Sequence, residues 1–66
     1  MSDFKISLAA ARVNADMTQQ QAAEAIGVNK ATIIKWEKGE TSPSAALLYR
    51  LLEIYRCPIN NIFLPN

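Results

Sequence analysis

Several residue types are scarce in this 66-residue sequence: it has no histidine, one cysteine and two glycines. The single cysteine, Cys57, excludes an internal disulfide, and without histidine the usual zinc sites are excluded as well. The sequence also lacks a glycine-rich phosphate loop and any paired nucleophile and base, so we expect no catalytic residues, cofactor or metal. No apolar run approaches the ~20 residues of a membrane span, and no signal peptide is evident. These absences and the unpaired cysteine predict a cytoplasmic protein that is not an enzyme.

The residues that are present describe a small chain that is able to bury a core. Half of them are hydrophobic, and seven Lys and Arg against six Asp and Glu give a net charge of +1. At ~100–200 residues per domain, residues 1–66 are predicted to form one domain, with no room for a small-molecule effector domain. The positive excess lies in residues 28–39, which carry Lys30, Lys35 and Lys38 against Glu37. On charge alone, a solvated helix face is the preferred explanation of these lysines.

Apolar periodicity and helix-end signals predict an all-α protein. The five predicted helices lie at residues 5–14, 18–26, 30–38, 44–56 and 58–63. Thr18 and Gln21 have the spacing of a capping box, in which each side chain satisfies the other's free backbone N–H. Both glycines fall just after a predicted helix, where the left-handed conformation is needed. Polar residues suited to capping precede the first, third and fourth helices: Ser2 or Asp3, Asn29 and Ser44.

The joint between the second and third helices is the most informative feature of the sequence. A three-residue turn that contains Gly27 separates them, which is the arrangement of a helix-turn-helix. Ala23 is expected to lie where the two helices come closest, so a larger side chain there would push them apart. Val28 and Ile33 are placed to point into the core beneath the crossing. Trp36 follows Ile33 on the inward face, so we expect it to fill the core.

Residues 17–39 resemble the phage repressor/Cro-type helix-turn-helix family, also called the xenobiotic-response-element family. Three motifs carry the resemblance: Thr18-Gln19, Ala23-x-x-x-Gly27-Val28 and Ile33-x-x-Trp36-Glu37-x-Gly39. It extends over roughly residues 6–63 and implies a compact five-helix domain of the lambda-repressor type. Two features depart from the family pattern without altering the turn. They are Ala22, where relatives commonly carry leucine, and the small residues at 9–11.

The resemblance implies that the third helix lies in the major groove of double-stranded DNA. The outward positions that would contact bases are Lys30, Ala31, Thr32, Ile34 and Lys35. Lysine can donate to guanine O6 and N7, and alanine or the threonine methyl can contact the thymine methyl. The predicted phosphate contacts are Thr18, Gln19, Asn29, Lys38 and Thr41. The positive end of the second helix favours an anion near Gln19 in any case. Two simpler explanations stay open: Gln19 as an exposed helix residue and Ile34 as an ordinary exposed apolar residue.

Arg12 and Glu37 match positions that form a partly buried ion pair in the family and join the first and third helices. Such a pair would turn Glu37, the one acid in the third helix, away from the DNA. The alternative is that the two residues are unrelated surface charges.

The C-terminal third carries more apolar surface than one small core needs. Leu48, Leu52 and Tyr55 can face inward, with Leu51 at the boundary. The remaining apolar residues predict an exposed patch that serves as a dimer interface: Leu47, Ile54, Ile59, Ile62, Phe63 and Leu64. Family members of this size pair through this region as twofold dimers, which suits a palindromic operator. The alternative is that these residues complete the core of a monomer.

The residues and the resemblance together predict a sequence-specific DNA-binding transcriptional regulator, specifically a homodimeric repressor that reads an inverted repeat. The rival interpretation is a protein-interaction module of the same fold, such as an antirepressor or an antitoxin-like partner. The lysines on the outward face of the third helix favour DNA, whereas the apolar patch would serve either function.

Overall fold

The computed structural model describes residues 5–64, in which four α-helices and one 3-10 helix follow one another. In chain order these are α1 (Leu8–Asn14), α2 (Gln19–Ile26), α3 (Lys30–Lys38), α4 (Ala45–Tyr55) and the 3-10 helix Ile59–Asn61. Within the described range, extended backbone pairs at one isolated parallel bridge, between Ile6 and Ile62. The regular secondary structure of residues 5–64 is therefore all-helical as predicted, but the predicted five α-helices are four α-helices and a 3-10 turn there. None of the helices in residues 5–64 is long and apolar enough to cross a membrane.

The ends of α2 and α3 follow the local signals in the sequence. Thr18 and Gln21 form the predicted capping box: the Gln21 N–H donates to Thr18 Oγ1 at 3.0 Å and the Thr18 N–H donates to Gln21 Oε1 at 2.8 Å. Gly27 and Gly39 end the two helices with φ of +76° and +78°, a left-handed conformation that costs glycine little. Asn29 is the N-cap of α3, but its side chain makes no capping hydrogen bond.

The first helix begins at Leu8 rather than at residue 5. Ser7 is its N-cap, and Ser7 Oγ accepts the N–H of Ala10 at 3.1 Å. Ser2 and Asp3, which were predicted to cap this helix, lie outside the described residues.

The pairing between the two ends of the described chain explains both differences from the predicted helices. The Ile6 N–H donates to the Asn61 carbonyl at 2.8 Å, and the Ile6 carbonyl accepts the Phe63 N–H at 2.8 Å. Both backbone groups of Ile6 are thus used outside a helix, so α1 cannot extend back through it. On the other side of the bridge, Ile62 has extended dihedral angles, with φ of −100° and ψ of 135°. The predicted fifth helix is consequently reduced to a single 3-10 turn.

The fourth helix begins and ends close to its predicted limits. Ser44 Oγ accepts the N–H of Leu47 at 3.3 Å at its start. Its last residue is Tyr55, and Arg56 follows with φ of +55°, in the left-handed region. Pro58 comes two residues later, and a proline disfavours helical geometry in the residue before it.

The core lies between the helix-turn-helix and α4. Its buried side chains are Leu8, Ala11, Ala22, Ala23, Ile26, Ile33, Trp36, Leu48, Leu51, Leu52, Tyr55 and Ile62. Trp36 is in the core as predicted. Leu51 was placed at the boundary but is 1% exposed, because α4 packs against both α1 and α2 and so buries a wider stripe than one contact would.

Candidate nucleic-acid interface

The packing between α2 and α3 determines which face of α3 stays free. The helices α2 and α3 pack against each other, with Ala22 and Ala23 of α2 fully buried and Ile33 of α3 only 1% exposed. The Val28 N–H donates to the Ala23 carbonyl at 3.0 Å and tightens the turn. With its inward face buried in this way, α3 presents its opposite face to solvent.

The solvent face of α3 is basic. Lys30, Ala31 and Lys35 are exposed and Thr32 and Ile34 are half-buried, so each of the five predicted base contacts keeps some accessible surface. Ile34 offers only part of its side chain. The side chain of Glu37 is largely buried and is hydrogen-bonded to groups on α1 and α2, which leaves no acidic side chain from α3 on this face. Such a face is complementary in charge to a nucleic acid.

The N-terminus of α2 carries two free backbone donors. The capping box uses the N–H of Gln21, and the Ala22 N–H donates to the Thr18 carbonyl at 3.0 Å. Among the described residues, the N–H groups of Gln19 and Gln20 have no acceptor. Free N–H groups at the positive end of a helix form a favourable site for an anion such as phosphate.

A surface cavity of about 410 Å³ lies at this helix end. Its lining residues come from α1, α2, α3 and the α1–α2 connection: Arg12, Met17, Thr18, Gln19, Gln20 and Lys30. The fold thus brings the predicted phosphate contacts Thr18 and Gln19 beside Lys30, which was predicted to contact a base. Arg12 and Lys30 line the cavity together with Gln19 and Gln20, whose backbone N–H groups are free, and such surroundings favour an anion.

The other predicted phosphate contacts lie apart from this cavity. Asn29 is exposed just before α3, and Lys38 and Thr41 are exposed at the far end of α3 and in the loop after it. Lys38 is about 12 Å along the helix axis from Lys30, at 1.5 Å per residue. The predicted contacts are therefore spread along the length of α3 on the structure.

A three-residue cluster joins α1, α2 and α3 behind this face. The Arg12 Nε donates to Glu37 Oε2 at 2.7 Å, and the Arg12 Nη1 donates to the Met17 carbonyl at 2.9 Å. The Gln19 Nε2 donates to Glu37 Oε1 at 3.0 Å. The hydrogen bond that Arg12 donates to Glu37 raises the pKa of Arg12 above its ordinary value, and partial burial opposes this rise. Arg12 therefore stays cationic and neutralises Glu37.

The contact between Gln19 and Glu37 was not foreseen from the sequence. The two residues are separated by 18 positions, and no periodicity or capping rule relates them. The family resemblance pointed to Arg12 as the partner of Glu37, and it said nothing of a third member.

The C-terminal apolar patch is smaller than predicted. Ile59, Phe63 and Leu64 are 41%, 55% and 37% exposed, whereas Leu47 and Ile54 are half-buried against the core. Ile62 is only 6% exposed, so its predicted place on this surface was wrong. Successive side chains of extended backbone point to opposite sides, and the side chain of Ile62 turns inward where that of Phe63 turns outward.

The family model described as helix-turn-helix matches residues 8–62, and the chain belongs to this family, the xenobiotic-response-element type that its motifs resemble. It is 36% identical over 53 residues to an uncharacterized HTH-type transcriptional regulator of Archaeoglobus fulgidus, a match that covers 80% of this chain and 75% of that one. A regulator of the same description from Methanothermobacter thermautotrophicus is 43% identical over 49 residues, covering 73% of this chain and 71% of that one. The protein is therefore a DNA-binding transcriptional regulator.

One relative has a more specific name. The cryptic phage CTXphi transcriptional repressor RstR of Vibrio cholerae is 40% identical over 48 residues, which cover 73% of this chain and 43% of that protein. No significant match was found among solved structures.

Proposed function

We propose that the protein is a sequence-specific repressor that binds an inverted-repeat operator as a homodimer, with α3 in the major groove. The observation that carries this proposal is the basic, acid-free face of α3 beside the free N–H groups of Gln19 and Gln20. An α-helix fits the major groove by its width, and a helix N-terminus anchors the phosphate backbone beside it. A relative that is named as a phage transcriptional repressor supports repression. In archaea and bacteria this function belongs in the cytoplasm, where the DNA lies.

The proposed contacts divide into two kinds with different consequences. Lys30 and Lys35 would donate to guanine edges, and Ala31, Thr32 and Ile34 would contact thymine methyl groups. These contacts read sequence. The phosphate contacts position the domain without reading sequence: Thr18, Gln19, Asn29, Lys38 and Thr41.

Selection from a random duplex DNA pool at physiological salt tests the proposal directly. The oligomeric state is recorded by sedimentation at the same protein concentration. We expect an enriched inverted repeat whose half-sites are about one helical turn, ~34 Å, apart. Weak binding that depends steeply on salt, without enrichment of any sequence, would show that the protein makes only non-specific contacts to DNA phosphates. The protein-interaction module would then be the better explanation.

Two variants separate base reading from backbone binding. Lys35→Ala should weaken binding to the selected site by about 1–3 kcal/mol and relax the preference at one base pair. Gln19→Ala should weaken binding to all duplexes alike, because a phosphate contact carries no sequence information. Titration of the selected duplex and a scrambled duplex measures both effects. A loss confined to the selected duplex in Gln19→Ala would contradict the assigned backbone role.

The dimer part of the proposal rests on the exposed C-terminal residues. Phe63→Asp places a charge on a side chain that is 55% exposed, so the fold should survive while association is lost. Tyr49→Asp is the matched control, because Tyr49 is 60% exposed on α4 and lies outside the predicted patch. Sedimentation should show a monomer for Phe63→Asp and a dimer for the control. A dimer in both would move the interface away from this patch.

A further inference from the structure

Glu37 has an unusual position for an acid in a DNA-binding helix. Its Oε1 accepts the Gln19 Nε2 at 3.0 Å, and its Oε2 accepts the Arg12 Nε at 2.7 Å. The side chain of Glu37 is 9% exposed. The carboxylate therefore lies between α1, α3 and the first residue of α2, directly behind the cavity at the start of α2.

These contacts fix the orientation of the Gln19 amide. A carboxylate only accepts hydrogen bonds, so the nitrogen of the amide, and not its oxygen, must face Glu37. One hydrogen of Nε2 is used in that bond. The second hydrogen is the side-chain donor that Gln19 can still offer, and Gln19 lines the cavity together with Lys30 and Gln20.

Charge and positioning lead to opposite expectations for Glu37. By charge alone, a carboxylate close to a DNA phosphate weakens binding, so its removal should strengthen binding. If the carboxylate holds the Gln19 amide in place for a phosphate, its removal should weaken binding instead. The ion pair of Arg12 and Glu37 has no net charge, and removal of the carboxylate charge would leave Arg12 as a net cation beside the cavity. The charge effect therefore strengthens binding to a phosphate, and a fall in affinity must come from lost positioning.

We propose that Glu37 is a positioning residue for DNA-backbone binding and acts through Gln19. Its carboxylate, neutralised by Arg12, holds the Gln19 side chain so that the second amide hydrogen joins the backbone N–H groups of Gln19 and Gln20 at one phosphate. This inference rests on the proposed DNA-binding function.

The Glu37→Gln variant tests this inference by the sign of its effect. The substitution keeps the size of the side chain but leaves one carbonyl oxygen to serve both Arg12 and Gln19. We expect affinity for all duplexes to fall about three- to tenfold, the range of one hydrogen bond. The control is Glu40→Gln, which removes the same charge from an exposed residue just after α3. The control should bind DNA as well as the unaltered protein or slightly better.

The same substitution in a Gln19→Ala background separates positioning from a general structural effect. There Glu37→Gln should no longer weaken binding, because the side chain through which it acts is gone. An equal loss in both backgrounds would overturn the proposal, and so would unchanged or tighter binding by Glu37→Gln alone. Failure of the unaltered protein to bind any duplex would instead overturn the proposed function. Circular dichroism at the binding temperature verifies that each variant is folded.

Nuclear magnetic resonance of the unaltered protein gives a readout that does not depend on the stability of a variant. The two side-chain amide protons of Gln19 are observed before and after a duplex is added. We expect the proton that is bonded to Glu37 to change little and the other to shift. If neither proton shifts when DNA binds, Gln19 does not contact the phosphate and the proposal is wrong.

Discussion

Replacement of Tyr55 by phenylalanine should stabilise the protein, which is the opposite of the usual effect of removing a buried hydroxyl. Tyr55 is 4% exposed, and its phenolic oxygen is buried without a hydrogen-bond partner among the described residues. A buried polar group that lacks a partner costs about 1–3 kcal/mol. Tyr55 also lines a cavity of about 180 Å³ at the surface, so we take the lower end of that range. Tyr55→Phe should therefore raise the free energy of unfolding by about 1 kcal/mol and the melting temperature by about 4–8 °C.

The pH dependence of stability gives a second, independent test of the environment of the Tyr55 hydroxyl. Burial raises the pKa of Tyr55 to about 12 from its ordinary value of 10. The negative charge of Glu37 adds a smaller increase, and the positive charge of Arg12 lowers the pKa in part. The folded protein therefore holds the phenolic proton to a higher pH than the unfolded chain does. The stability linked to this proton is fully present below pH 10 and is lost as the pH rises from 10 to 12. At 1.36 kcal/mol per pKa unit, the loss is on the order of 3 kcal/mol. Tyr55→Phe has no phenolic proton, so its stability should not fall in this way between pH 10 and pH 12.

Urea denaturation followed by circular dichroism at pH 7, 10 and 11 measures both effects. The control is Tyr49→Phe, whose side chain is 60% exposed, so its free energy of unfolding should stay within about 0.5 kcal/mol of the unaltered protein. The advantage of Tyr55→Phe should grow from pH 10 to pH 11. If Tyr55→Phe were instead less stable than the unaltered protein by about 1 kcal/mol at pH 7, the hydroxyl would not be an unpaired buried group. That result would mean that the hydroxyl has a good partner, such as a water molecule in the adjacent cavity.

Further substitutions test the ion pair and two residues that have left-handed backbone conformations. Arg12→Met should lower the free energy of unfolding by about 3 kcal/mol, because it leaves the 9% exposed side chain of Glu37 without its cation. Adding Glu37→Leu to Arg12→Met should recover most of the lost stability, which thermal denaturation measures. An unchanged melting temperature for Arg12→Met alone would show that the ion pair does not stabilise the fold. Arg56→Gly should raise stability by about 0.5–1 kcal/mol, since φ of +55° strains any residue with a Cβ. Gly27→Ala should lower the free energy of unfolding by about 1 kcal/mol through backbone strain alone, because a Cβ there meets nothing within 4 Å. Urea midpoints that do not change for Arg56→Gly and Gly27→Ala would show that the backbone at these two residues relaxes without strain.

Part of the fold and of the candidate interface follows from signals that act within one helical turn. The capping box of Thr18 and Gln21 and the left-handed ends at Gly27 and Gly39 depend only on neighbouring residues. The limits of α2 and α3 were therefore predictable, and with them the outward positions of α3. Apolar spacing likewise placed Trp36 and Ile33 in the core.

The remainder depends on contacts between residues far apart in the sequence. The sequence predicts Ile6 in a helix, but in the structure its backbone pairs with the segment around Ile62. That pairing shortens α1 and buries Ile62. The sequence predicts no protein partner for the Gln19 side chain, which contacts Glu37 because α2 and α3 cross. Propensity and capping act over about four residues, whereas these contacts exist only once the helices have packed. The helix-turn-helix and its basic face follow from signals between neighbouring residues, whereas the pairing of Ile6 with Ile62 and the hydrogen bonds that hold Glu37 behind that face form only when the helices pack.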